Sequence, residues 1–228
     1  MSQNKEKTEK VAVKQKLALL IQKNSKILLA FIVLIVVIVL ALLVYNSIQL
    51  KNIEKYTQEI ESIQDEYTTI TTTVNETEKV TLEKAILIKL DKLIASSPKN
   101  YALQRALFIR ANIYYQNQEW DKSIADFNLL AKDFSNSYLA PISLINTAIC
   151  YEDSNRLDQA IETYHLVIQD YSKVSPEIPN IYFSLGRLYE HQGNIDSALT
   201  EYNNLVDSFP DSNWTNLARS RIIYIESK

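Results

Sequence analysis

Every position from 27 to 45 is apolar or aromatic, an unbroken run of 19 residues. As an α-helix such a run rises about 28 Å, close to the roughly 30 Å hydrocarbon core of a bilayer. A transmembrane helix is therefore predicted over 27–45. A cleaved signal peptide has a shorter apolar region that ends in small residues, whereas this run closes on Leu42, Leu43, Val44 and Tyr45 with no lipobox cysteine after it. Past this run the pattern becomes periodic. Ile53, Tyr56, Ile60, Ile63, Tyr67, Ile70 and Val74 lie alternately 3 and 4 residues apart, the apolar seam of a helix across three heptads. Residues 46–81 are read as an amphipathic stalk that packs on its own domain or on a partner in the membrane, with a homodimeric coiled coil as the alternative use of the seam. The cluster Thr68, Thr69, Thr71, Thr72 and Thr73 works against helix there, because β-branched side chains lose rotamer freedom against the preceding turn.

Composition extends the helical reading to the rest of the chain. Glycine occurs only at Gly186 and Gly193, which disfavours β-rich folds and glycine-lined phosphate loops, while good helix formers are plentiful. The formal charge of −3 conceals two opposed parts. Residues 1–26 carry seven Lys and two Glu, +5, which leaves −8 for the remainder. Lysines before the apolar run and an uncharged stretch, residues 46–50, after it predict a cytosolic basic tail over 1–26. The acidic remainder then lies across the inner (cytoplasmic) membrane, in the periplasm or outside the cell. The basic tail is read as a topology signal, not as a nucleic-acid contact. Cys150 is the sole cysteine, so no intramolecular disulfide can form, and its apolar neighbourhood suggests a small buried hydrophobe.

Aligned on itself, the chain repeats. Three segments, 114–127, 151–164 and 189–202, each begin and end on an aromatic residue thirteen positions apart. Between these aromatics lie Asp121, Asp158 and Asp196, each followed two positions on by Ser123, Ala160 or Ala198. A third aromatic, Phe134, Tyr171 or Phe209, follows after seven more positions. The pattern resembles the tetratricopeptide repeat, whose two antiparallel helices carry a small residue and then an aromatic on the first helix and a small residue opening the second. The best copy is Leu185, Gly186, Tyr189, Ala198, Tyr202, Leu205 and Pro210. Ala148, Tyr151, Ala160, Tyr164 and Val167 form another, and Ala111, Tyr114, Ser123, Phe127 and Leu130 a third, with Ser172 and Ser135 where proline is usual. Copies are 37 and 38 residues apart instead of the usual 34, and the extra residues fall near Asn136 and between Ser172 and Pro179. Residues 82–95 look like a half repeat and 214–225 like a capping helix. The aspartates are read as charges placed against the positive end of the second helix's dipole.

This resemblance implies an all-α solenoid of about three repeats over 82–228 with a protein-binding groove lined by the first helices. It assigns inward places to Arg105, Phe108, Asn112 and Tyr115, to Ile142, Ile145, Ile149 and Glu152, and to Phe183, Arg187 and Glu190. The middle of that surface is apolar, and Asn112 alone matches the Lys and Asn set that clamps acidic chaperone tails. An apolar or amphipathic partner segment is the expectation, with self-packing of Phe108, Ile145 and Phe183 as the alternative. His165 and His191 lack the spacing of a metal site, and no nucleophile elbow or phosphate loop appears. No catalytic residue, cofactor, metal or small-molecule substrate is predicted, and the chain reads as a non-enzyme. A short tail, one span and periplasmic repeats resemble the ancillary subunit of the bacterial Sec translocon, implying a scaffold in envelope assembly. The residue usage, rich in Ile, Lys and Asn, also fits tetratricopeptide proteins of the spirochaete periplasmic flagellar collar. An enzyme or regulatory subunit is the remote third reading.

Overall fold

The computed structural model describes residues 23–227, and the expected cytosolic tail lies outside them apart from its last four residues. Helices occupy Ser25–Thr72 (α1), Glu76–Ser96 (α2), Tyr101–Gln116 (α3), Trp120–Asp133 (α4), Leu139–Asp153 (α5), Leu157–Tyr171 (α6), Ile178–His191 (α7), Ile195–Ser208 (α8) and Asn213–Glu226 (α9), and no strand occurs among the described residues. Two compact units divide the chain, one ending at Lys55 and one beginning at Tyr56.

In the first unit α1 is long and apolar enough to cross a membrane. Side chains such as Ile27, Phe31, Leu34, Ile38, Leu42 and Tyr45 are all exposed, as they must be if the surrounding medium is lipid.

The second unit is a stack of antiparallel helix pairs, α3 with α4, α5 with α6 and α7 with α8, and α9 packs on both α7 and α8. One further pair precedes them. From Tyr56 onward α1 runs against α2, with the Tyr56 hydroxyl donating to the Ser96 carbonyl (2.8 Å) and Lys89 Nζ to Glu66 Oε1 (2.6 Å). Ile60, Ile63 and Ile70 are each 1% exposed and bury against Ile86, Leu90 and Leu93 of α2 and Ala102, Ala106, Ile109 and Ile113 of α3. The stripe read as a coiled-coil seam is thus buried within the chain, and the segment read as a half repeat has its first helix in residues 56–72. The threonines do not break α1 early: Thr68 and Thr69 return their hydroxyls to the carbonyls of Gln64 and Asp65. Such back-bonding satisfies the hydroxyl without unwinding the turn. The helix ends at Thr72, and Asn75 caps α2 by accepting from Thr77 N and Glu78 N.

Tight turns inside the three recognised pairs share one device. Gln118, Asn155 and Gly193, at matching places, all adopt positive φ (59°, 58° and 76°). Gly193 does so at no steric cost, whereas a side chain in this region costs about 1–2 kcal/mol. Across each pair the small residue of the first helix meets an aromatic of the second. At Gly186 the approach leaves no room for a side chain: a Cβ built there would lie 2.4 Å from Tyr202 Cε1.

Two aspartates at the starts of the second helices do more than face the helix dipole. Arg156, from the next pair, donates to Asp121 (2.7 Å), and Gln192 to Asp158 (2.8 Å). The carboxylates lie in the first helical turn, yet their hydrogen bonds join successive pairs.

Candidate functional site

The candidate surface is carried by α3, α5 and α7, the first helices of successive pairs. Its position follows from packing: the small residues Ala111, Ala148 and Gly186 are fully buried toward the paired helix, so side chains one, three and four positions away flank that buried line.

Structure separates the eleven expected residues into three groups. The first is apolar and drawn toward the chain's own core. Ile145 is 8% exposed and belongs to the core of the central pair. Phe108 meets Phe127 edge-on with centroids 5.8 Å apart. Phe183 sits between Tyr202 (5.6 Å) and Trp214 (5.4 Å). Ile142 and Ile149 are half-buried against the cores beneath them.

A second group is ionic. Glu152 accepts the Tyr164 hydroxyl (2.8 Å) and pairs with Arg187 of the next pair. One repeat later Glu190 accepts the Tyr202 hydroxyl (2.7 Å), and Arg221 of α9 reaches its two carboxylate oxygens at 2.6 and 3.0 Å. These are two copies of one latch in which a carboxylate on the first helix holds the tyrosine of its own second helix and an arginine from the following helix. Burial, reinforced by the neighbouring carboxylate, pushes both tyrosine hydroxyls well above their ordinary pKa, so they remain donors. Arg105, placed with this group for its charge, donates to the neutral amide oxygen of Gln64 on α1.

The third group, Asn112 and Tyr115, opens onto a small pocket of about 110 Å³ completed by Phe127, Asn146 and Ile149. Asn112 Nδ2 donates to the Phe108 carbonyl (2.7 Å). The Tyr115 hydroxyl donates to Asp153 (2.7 Å), and that bond with burial raises its pKa to about 12. Here Tyr115 and Phe127 occupy the places that Glu and Tyr hold in the two latches.

Sequence reasoning missed Tyr164, Tyr202, Arg221, Asp153 and Asn146 as parts of this surface. A signal existed for the latches: in both, glutamate and tyrosine stand twelve positions apart in register with the repeat. Nothing in the sequence pointed to Arg221, because α9 has no second helix to align. Among the described residues no group of three or more His, Cys, Asp and Glu could hold a metal ion.

A stack of helix pairs presenting one face of its first helices, with ion pairs tying each pair to the next, defines a helical-repeat scaffold for protein–protein interaction. The family model for the tetratricopeptide repeat matches residues 108–174 and 147–213, and this part of the chain is a tetratricopeptide repeat domain. A TPR repeat-containing protein of Treponema pallidum (strain Nichols) is 31% identical over 147 residues, which is 63% of this chain and 59% of that protein. The chain therefore spans about three fifths of the curated relative it matches. Among solved structures, the nearly identical TPR-like repeats of a Podosopora anserina kinesin light chain align with a TM-score of 0.54 at 10% identity, over 74% of this chain and 87% of that one. A tetratricopeptide repeat protein from Parabacteroides merdae ATCC 43184 gives 0.54 at 15% identity, over 75% and 61%. These likenesses establish the fold. Repeats of this kind are typically non-enzymatic, and no catalytic family is indicated.

Proposed function

We propose that this protein is a membrane-anchored scaffold that gathers other proteins of the cell envelope through the face of α3, α5 and α7. The observation that carries the reading is the pairing in one chain of a repeat domain with an N-terminal helix apolar enough to span a bilayer. The basic residues 1–26 hold the N-terminus in the cytosol, residues 27–45 cross the inner membrane, and the acidic domain works on the far side. With Ile145, Phe183 and the latch residues engaged by the chain itself, the part of the surface open to a partner is the stretch around Asn112, Tyr115, Asn146 and Ile149. Its mix of aromatic, aliphatic and amide groups suits an amphipathic segment whose backbone the asparagines can hydrogen-bond.

The test combines topology and binding. Protease added outside the inner membrane should remove the repeat domain and spare the tail, and protection of the domain until that membrane is lysed would reverse the orientation. Asn112→Arg with Asn146→Arg fills the small pocket without removing an apolar core residue. Crosslinked partner recovered from native membranes should then fall about tenfold, as expected for loss of a binding anchor, and undiminished recovery from the folded variant moves the binding surface elsewhere. A second reading, a structural part of a periplasmic flagellar collar, draws on the relative in Treponema pallidum, a spirochaete. Flagellar motor components among the crosslinked proteins favour it, whereas translocon or chaperone subunits favour envelope assembly.

A further inference from the structure

Residues that lengthen these repeats beyond the usual 34 do more than connect helices. The connection after α4 (residues 134–138) and the connection after α6 (residues 172–177) face one another across an open cleft of about 1020 Å³. Its walls come from both connections, from Pro141 and Ile142 at the start of α5, and from Gln169 to Tyr171 at the end of α6. The Tyr171 hydroxyl ties the two sides by donating to the Ser135 carbonyl (3.1 Å). The cleft is therefore a product of the extra residues, set apart from the small pocket on the first helices, with which it shares no lining residue.

Two features say what it fits. Tyr138 and Val174 are 69% and 72% exposed, among the most exposed large apolar side chains outside the first unit, and they arrive from different connections to line the same cleft. Isolated exposed apolar residues need no explanation, but two converging on one concavity mark a contact surface. The second feature is charge. The charged residues of the lining are Asp170 and Glu177, both exposed, and no Lys or Arg lines it. Their carboxylates meet neutral amides at 3.4 Å, Gln169 Nε2 and Asn180 Nδ2, and make no ion pair with a described residue. By contrast Asp91, Asp121, Asp126, Asp133, Glu152 and Glu190 are all paired with cations. Lys173, the one cation of that connection, does not line the cleft.

We infer that this inter-repeat cleft is a second docking surface, for a short basic segment of a partner protein that inserts an apolar or aromatic side chain between Tyr138 and Val174 and sets lysine or arginine against Asp170 and Glu177. Charge complementarity selects the occupant, since a phosphate-bearing or acidic ligand would meet repulsion from both carboxylates. The acidic surface equally disfavours an anionic lipid headgroup.

The probe is a synthetic heptapeptide containing one tryptophan, one leucine and two lysines, compared with the same peptide carrying glutamate in place of lysine. Both are titrated against the full chain in nanodiscs of zwitterionic lipid, with peptide contacts mapped by hydrogen exchange. The lysine peptide should bind, protect residues 134–142 and 169–178, and weaken as salt rises, while the glutamate peptide should not bind. Asp170→Lys with Glu177→Lys, at exposed positions that leave the core untouched, should lower lysine-peptide affinity about tenfold and admit the glutamate peptide. Tyr138→Ser should weaken the lysine peptide without reversing the charge preference. Equal binding of both peptides, absence of lysine-peptide binding at millimolar concentration, or unchanged affinity in the folded charge-reversed variant overturns the inference. The Asn112→Arg and Asn146→Arg variant should bind the lysine peptide normally; loss there would assign the peptide to the α3–α5 face instead. Failure of the cleft therefore leaves the reading of the first-helix face standing, and the reverse also holds.

Discussion

Each of the two glycines is required for a different reason. Gly193 holds φ at +76° with open space around its missing Cβ, so its constraint is backbone conformation. Gly186 is helical, and its constraint is the Tyr202 ring, three of whose carbons would lie 2.4 to 2.7 Å from an added Cβ. That ring cannot retreat cheaply, being fully buried with its hydroxyl held by Glu190. We predict that Gly186→Ala destabilises the domain by up to about 2 kcal/mol, because an overpacked core costs about 1–3 kcal/mol and alanine regains roughly 1 kcal/mol in helix propensity. Chemical denaturation of the two proteins measures it, and an alanine variant of equal or greater stability would contradict the contact. Alignment of the repeats made the small position legible. It could not show that Gly186 lies too close to its aromatic for alanine, because that depends on the approach of α7 to α8.

At the scale of elements, α1 packs against α2 through its apolar stripe. A helical stripe at Ile60, Ile63 and Ile70 can be buried by a second copy or by the same chain, and periodicity treats the two alike. The structure buries it within the chain, in a pair that extends the stack by one beyond the three recognised copies. Ends of the stripe behave differently, with Ile53 43% exposed and Val74 93% exposed in the turn. Replacing Ile60 and Ile63 by Asp removes two fully buried side chains worth about 1.5–3 kcal/mol each. The expected result is a loss of stability of that summed order together with faster hydrogen exchange in α2 and α3, independent of protein concentration. A variant that loses only its dimer fraction on dilution, with monomer stability intact, would return the stripe to the coiled-coil reading.

On the scale of the whole repeat domain, stability is a chain of nearest-neighbour interfaces, and the weakest junction determines where it opens. From α3 onward the junction of α6 with α7 is the sparsest between consecutive helices, and it is the one spanned by the connection over residues 172–177. The Glu152–Arg187 latch crosses this junction from α5 to α7. Arg187→Ala should therefore speed amide exchange across α7, α8 and α9 as a group and leave α3 and α4 unchanged, because removing one partner leaves a half-buried carboxylate unpaired. Exchange that rises uniformly over the domain, or not at all, would mean that the latch does not hold the junction.

What the amino-acid sequence determined by itself was everything that depends on neighbours in the chain. Helix periodicity, the apolar run and the repeated small and aromatic positions follow from a local spacing of 3.6 residues and from the requirement that each pair bury one face. Tertiary structure alone decided which groups meet across pairs. It joined the helix-start charges Asp121 and Asp158 to Arg156 and Gln192 of the next pairs, drew Ile145 and Phe183 into the packing, and brought two distant connections to face one another. The physical reason is that these contacts depend on the rotation and separation of whole helices, quantities summed over many small packing terms, of which no short stretch of sequence holds more than a part.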